Sequence, residues 1–469
     1  MSTVAARLER LPFSRFHLKL LVMGGLGFTF EAADAGLIAF VLPVIRAKWH
    51  LTSFETGMIG SSTYIGFLFG ALFAGMLGDR FGRRVVMSWA LLVFCAMTLC
   101  NAFVNDWHTF FVFRMLAGVG MGAEGAIIAP FLSEFVSRRY RGTFTGALAG
   151  FFSFGFVLSA VVGYFLIPSS PDGWRYALIL AASPVLMLLW WRKSLLESPR
   201  WLECRGRESE ANSIVEKIEF EIERSGRTLP PIDYSAVAIQ RPAKPLGFVA
   251  VLKALWTRPL AYTTAMIWIF WLAITFCAYA FLTWIPGLLV QSGLTMSKSF
   301  SYTIAIYLAQ IPGYYCGAFT NEKLGRKRSI VTFMVLACLS AIWLSTAMDA
   351  HTMLFASMAL SFAMNGVVAG QYAYTPEVFP TEVRATGMGA ASSFGRIGAI
   401  ASPMLVGYIF PIFGFAGVFG MTTAVLAIGG LVVLIFGKET KGLSLETIAV
   451  EELSMNNGVP GNEALRKVD

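Results

Sequence analysis

The chain reads as long apolar runs separated by short polar stretches. A helix needs about 20 mainly apolar residues to cross the hydrocarbon core of a bilayer. Twelve segments meet that length, at roughly 18–46, 57–77, 85–104, 108–136, 142–167, 174–193, 259–290, 299–319, 329–348, 352–375, 386–411 and 414–437. The pattern predicts an all-α membrane protein of twelve transmembrane helices. The first run is too long for a cleaved leader, carries two acids at its middle and lacks a small-residue cleavage site.

One polar stretch, about 194–258, divides the runs six and six. Within it, 208–224 mixes charges with Ile214, Ile218 and Ile222 four apart, which predicts a surface helix. Pro230, Pro231, Pro242 and Pro245 mark a linker. The expected organisation is a six-helix half over 1–193, a central cytoplasmic loop over 194–258, a second six-helix half over 259–437 and a polar tail over 438–469.

Composition agrees: 56% of the 469 residues are hydrophobic and 14% charged, against about 25% charged in soluble domains. That excludes a disordered chain and a small disulfide scaffold. Six cysteines without CxxC spacing and four scattered histidines offer no metal cluster. No nucleophile–base pair or phosphate loop is present, so neither an enzyme nor a cofactor is expected. The net charge of +9 is explained by position. With the N-terminus inside, 31 of the 37 Lys and Arg fall in cytoplasmic segments; the exceptions are Arg46, Lys48, Arg114, Arg175, Lys298 and Arg396. The expected location is a membrane, crossed many times, with both termini cytoplasmic. Nucleic-acid binding loses its support, and a monomer is expected.

An internal repeat runs through the chain. Gly78–Arg84 recurs weakly as Asn321–Lys327, so that Asp79 matches Glu322 and Gly82 matches Gly325, 243 positions on. Glu134 and Arg141 match Glu377 and Arg384, Pro43 matches Pro286 and Gly146 matches Gly389, all at the same offset. The chain is read as two pseudo-symmetric six-helix halves, the architecture of alternating-access transporters.

The sequence also resembles the major facilitator superfamily over nearly its whole length. Gly78-Asp79-Arg80-Phe81-Gly82-Arg83-Arg84 matches the signature between spans two and three, and Arg114 with Gly118, Gly120 and Gly122 matches that of span four. Glu197-Ser198-Pro199-Arg200-Trp201-Leu202 and Lys438-Glu439-Thr440-Lys441-Gly442 resemble the sugar-porter and metabolite:proton-symporter branches. A finer resemblance, to bacterial niacin (nicotinate) transporters, rests on Phe30–Gly36, Gly120–Glu124, Ala309–Tyr314, Tyr372–Glu377 and Phe394–Gly398.

A charge in mid-membrane costs about 2.5–3.5 kcal/mol on insertion scales, so each such charge requires a reason. Glu31 and Asp34 lie three apart on one helical face of span one. They are candidate proton carriers, or else packing acids bonded to a neighbour's hydroxyl. Glu124, in the glycine-rich face of span four, is a second proton-site candidate. Arg114 is a coupling partner for an acid or a structural ion-pair member. Arg396 is the one cation near the centre of the second half, suited to hold a carboxylate or else to be a buried partner for Glu377 or for a backbone carbonyl.

Small aromatic solutes favour apolar walls with a few polar groups. Candidate wall residues are Tyr64, Phe276, Tyr279, Trp284, Tyr307, Gln310, Asn365, Gln371, Tyr374 and Ser393. Asp79, Arg83, Glu134, Arg141, Glu322, Glu377 and Arg384 read as gate residues at cytoplasmic helix ends, or as anchors to lipid headgroups. These readings converge on a proton-coupled importer of a small organic acid, nicotinate or a related aromatic monocarboxylate, with protons and an organic anion as its small-molecule partners. A sugar or polyol symporter and a non-transporting membrane receptor are the alternatives.

Overall fold

A computed structural model describes residues 3–224, 226–232, 253, 255–257, 260–379 and 383–441, without the side chains of Thr3, Asp79, Arg138, Arg192, Arg384 and Ala385. Those residues are helical almost throughout. Spans one to five are Arg15–Lys48, Ser53–Phe81, Arg83–Asn101, Trp107–Ser133 and Arg138–Leu166. Span six, Gly173–Trp191, contains a short tight turn at Ser183–Leu186. Span seven is Leu260–Gln291, span nine Arg326–Ser345 and span ten Ala350–Glu377.

Among the described residues, ten helices are long and apolar enough to cross a membrane. Two details convert ten into the expected twelve. Span eight is interrupted, as Met296–Leu308 and Gln310–Leu324. The cause is Pro312, which has no N–H to donate to the carbonyl of Leu308. Spans eleven and twelve run on as one helical stretch, Arg384–Phe436, broken at Gly414 by non-helical angles (φ 63°, ψ −157°). A positive φ suits glycine, and the break separates 384–413 from 415–436.

Helix starts follow ordinary capping chemistry. The Asp106 carboxylate accepts from the N–H of Thr109 at 2.9 Å, and Asp349, 243 residues later, accepts from His351 and Thr352 at 3.0 and 2.9 Å. The repeat therefore extends to the caps.

The chain divides into two compact units, Met1–His50 with Ser62–Ala243, and Leu51–Ser61 with Lys244–Asp469. In the first, span one packs on span five and span three on span four. Span four approaches span two through glycines: a Cβ at Gly118 or Gly122 would strike the Thr63 or Phe67 carbonyl. Small residues let backbones meet that closely. The first unit also holds a short helix, Thr3–Glu9, against the amphipathic helix Glu208–Arg224, which buries Ala211, Val215, Ile218 and Ile222. In the second unit, span seven packs on the stretch of spans eleven and twelve, and span nine on span ten. Gly313 and Gly317 of span eight meet Phe362 and Gly366 of span ten in the same glycine-to-backbone manner. The first turns of span two belong here, where the Ser61 hydroxyl donates to the Ile400 carbonyl at 2.7 Å.

Candidate functional site

Spans one and four run antiparallel and bring their charges together. Arg114 Nη1 donates to Asp34 Oδ2 at 2.8 Å, with both side chains at 0% exposure. Arg114 Nη2 also reaches the Asp34 carbonyl at 3.5 Å, and the Thr98 hydroxyl donates to Asp34 Oδ1 at 3.3 Å. Asp34 thus has both the neighbouring hydroxyl and the cation that its sequence position left open. Moving two charges out of water costs several kcal/mol per ion, and apolar helix packing alone does not need them.

Ten residues along span four, about 15 Å, lies Glu124. Its carboxyl group is fully buried, and neither oxygen has a hydrogen-bond partner among the described residues. Glu31, 3% exposed, lies one turn from Asp34 on the same helix. Glycines make room for both acids. A Cβ at Gly27 of span one would lie 2.7 Å from Glu124 Oε1, and one at Gly125 of span four would lie 3.2 Å from Glu31 Oε2. Each helix therefore supplies the acid that fills the other's glycine notch.

In the second unit, Arg396 is half-buried and its Nη1 donates to the Tyr279 hydroxyl at 3.3 Å. Glu377, the alternative partner for Arg396, is bonded to Arg326 instead. Phe394, next but one to Arg396, stacks on Trp268 with centroids 4.6 Å apart. Gly398 fits against buried Phe276, and Ser393 is exposed. The other expected wall residues fall into two groups. Trp284 donates to the Pro403 carbonyl at 3.1 Å, Tyr307 to that of Leu282 at 2.9 Å, Tyr374 to that of Lys438 at 2.9 Å and Asn365 to that of Ser361 at 3.0 Å. Gln310 and Gln371 are buried, with amide nitrogens that donate to nothing among the described residues. Tyr64, in the first unit, is 4% exposed.

The basic end of each unit carries one network, built twice. In the first, Gly82 (φ 102°) turns the chain between spans two and three. Glu197 then accepts the N–H groups of Arg83, Arg84 and Ser198 at 3.1, 3.2 and 3.0 Å. Arg83 Nε lies 3.4 Å from Glu134, which also accepts from the Ser198 hydroxyl. In the second, Gly325 (φ 100°) makes the turn and Glu439 accepts the N–H groups of Arg326, Arg328 and Thr440 at 2.7, 3.3 and 3.1 Å. Arg326 lies 3.1 Å from Glu377, which accepts from the Thr440 hydroxyl at 2.5 Å.

Arg141 bonds to Glu9 at 3.3 Å rather than to Glu134, and Glu322 pairs with Arg326 at 3.1 Å. The side chains of Asp79 and Arg384 lie outside the described residues. Glu197, Glu439 and Arg326 were not among the expected site residues. The available signal was the Glu-Ser and Glu-Thr dipeptides after spans six and twelve, 242 positions apart.

The family described as "Sugar (and other) transporter" matches residues 26–451. The chain is 36% identical to a niacin transporter of Acinetobacter baylyi over 448 residues, covering 95% of this chain and 100% of the relative. It is 33% identical to a putative niacin/nicotinamide transporter of Bacillus subtilis over 429 residues, covering 91% and 98%. Among solved structures, a partially occluded inward-open xylose transporter from E. coli is similar at a TM-score of 0.74 and 19% identity, covering 92% of this chain and all of that one.

Proposed function

We propose, for a chain that belongs to the sugar (and other) transporter family of the major facilitator superfamily, that it imports a small organic acid together with protons. Nicotinate or a related aromatic monocarboxylate is the substrate. The two niacin-transporter relatives at 36% and 33% identity support that choice of substrate. The chain lies in the bacterial inner membrane as a monomer, with the basic ends of both halves and both termini in the cytoplasm.

The observation that carries the proton coupling is the fully buried Asp34–Arg114 pair, with the Glu124 carboxyl, which has no hydrogen-bond partner among the described residues, on the same helix as Arg114. A buried pair that loses one charge is left with an uncompensated ion, costing about 3–5 kcal/mol. Protonation of Asp34 therefore frees Arg114 to seek another anion, and that change favours one conformation of the carrier over the other. Glu31 and Glu124 relay protons to and from this pair. Arg396 and Tyr279 hold the carboxylate of the solute, and Trp284, Tyr307, Gln310, Asn365, Gln371 and Tyr374 are the wall residues of the same half. The basic-end networks act as gates that open and close by alternating access.

The test is uptake of labelled nicotinate into proteoliposomes with and without an inward proton gradient. Gradient-driven accumulation is expected. Uptake that ignores the gradient removes the proton step, and absence of both uptake and binding removes the substrate. A sugar or polyol substrate is the second reading, favoured by the buried Gln310 and Gln371 amides, whose N–H groups suit hydroxyl ligands. Labelled glucose or xylitol in the same vesicles separates the two.

A further inference from the structure

The first unit contains a cavity of about 690 Å³ outside the charged site of spans one and four. Two helix faces form its main walls. Val85, Ser88, Trp89 and Leu92 repeat at helical spacing along span three, and Arg207, Glu210, Ile214 and Lys217 do so along the amphipathic helix and the residue before it. The first wall is apolar and outward-facing, with Val85 44% and Trp89 63% exposed. From Arg84 to Leu92 it runs eight residues, about 12 Å along the helix axis, down into the hydrocarbon region that span three must cross.

Three cations line the cavity, Arg84, Arg207 and Lys217, while Arg80 and Arg205 lie 5.3 and 5.8 Å from the ring centroids of two further lining residues, Phe81 and Trp201. Two acids, Glu197 and Glu210, also line the cavity. Glu197 is engaged by the N–H groups of Arg83 and Arg84 in the turn and of Ser198, while Glu210 pairs with Arg207 at 2.6 Å with both side chains half in solvent, an exposed pair of little net worth that yields Arg207 to a phosphate. A basic head opening onto an apolar trough at a helix end matches an amphiphile with a negative head and a hydrocarbon tail.

We propose that this cavity binds one anionic phospholipid, its phosphate at Arg84, Arg207 and Lys217 and an acyl chain along Val85, Trp89 and Leu92 of span three. The site rests only on the chain spanning a bilayer and is independent of which solute is carried. Because the same cavity contains Glu197, which closes the turn between spans two and three, an occupied site stiffens that basic end.

The test uses the purified full-length protein in detergent and follows its thermal unfolding with added phosphatidylglycerol, phosphatidylcholine of the same acyl chains, or inorganic phosphate. Phosphatidylglycerol is expected to raise the midpoint, and the other two to leave it in place. The double variant R207Q/K217Q should need about tenfold or more phosphatidylglycerol for the same rise. Should that variant fail to fold, Ser88→Trp, which fills the trough without touching a charge, must show the same loss. Equal shifts with phosphatidylcholine, a full shift with phosphate alone, or an unchanged response in the variants would each overturn the assignment.

Discussion

Arg114 and Asp34 hold each other across spans four and one at 2.8 Å, with neither side chain reaching solvent. Eighty residues separate them in sequence, and their contact fixes the register of two antiparallel helices. The arrangement predicts unequal effects of removing one charge or both. Asp34→Asn or Arg114→Gln alone should lower stability by about 3–5 kcal/mol, and the double change by much less. Thermal unfolding of the three variants checks this, and additive losses would show that the pair is not coupled. Under the proposed mechanism, Asp34→Asn should also abolish gradient-driven uptake while sparing solute exchange.

Gly27 leaves the space that the Glu124 carboxyl occupies, because a Cβ there would lie 2.7 Å from Oε1 and 3.0 Å from Ile128 Cδ1. Gly27→Ala should therefore displace Glu124 at an overpacking cost of about 1–3 kcal/mol. Glu124→Gln, which keeps the shape and removes the titration, should leave stability near that of the parent. Uptake assays on both variants against an inward proton gradient should show a loss for each. Full driven uptake by the Gln variant would exclude Glu124 from the proton path.

Glu197 accepts three backbone N–H groups and Glu439 four, two of each from the residues that follow a glycine turn. Replacing either with Gln removes the charge from these bonds, and a bond to a charged group contributes about 1.5–3 kcal/mol against about 1 for a neutral one. Amide exchange at 82–84 should accelerate in Glu197→Gln, and at 325–328 in Glu439→Gln, with each effect confined to its own half. Exchange rising equally in both halves from one substitution would contradict the separateness of the two networks.

Arg7 and Arg10 clamp Glu219 at 2.6 and 2.7 Å, fastening helix Thr3–Glu9 to the amphipathic helix. Burial alone would raise the Glu219 carboxyl, but the hydrogen bonds and charges of the two arginines outweigh it and leave it below its ordinary value. A lowered carboxylate stabilises the fold above its unfolded value, and that contribution disappears as pH falls through the lowered folded value. Exchange protection of residues 3–9 should accordingly hold at neutral pH and collapse in acid, and Glu219→Gln should abolish this pH dependence. Protection that falls in acid to the same extent in the Gln variant would place the sensitive group elsewhere.

Arg396 and Tyr279 form the cation–hydroxyl pair of the second half. If the guanidinium holds the solute's carboxylate, Arg396→Ala should weaken nicotinate far more than neutral nicotinamide, by about tenfold or more for a lost charged hydrogen bond. Competition binding with the two compounds measures the difference, and equal losses would make Arg396 a structural residue.

Span positions, the twofold repeat and the short list of charges inside the membrane were readable in one dimension. Each depends on a local rule: the length of an apolar run, a constant offset, or the cost of a charge in hydrocarbon. Even the departures have local causes, Pro312 interrupting span eight and Gly414 parting spans eleven and twelve. Partnership had no such rule. The sequence left open which acid would meet Arg114, and only the antiparallel register gave Arg114 to Asp34 and left Glu31 beside Gly125. It offered Arg396 to Glu377, and the turn at Gly325 gave Glu377 to Arg326 instead. Charges attract whatever stands within a few ångströms, and which groups those are is decided by packing between helices far apart in the chain.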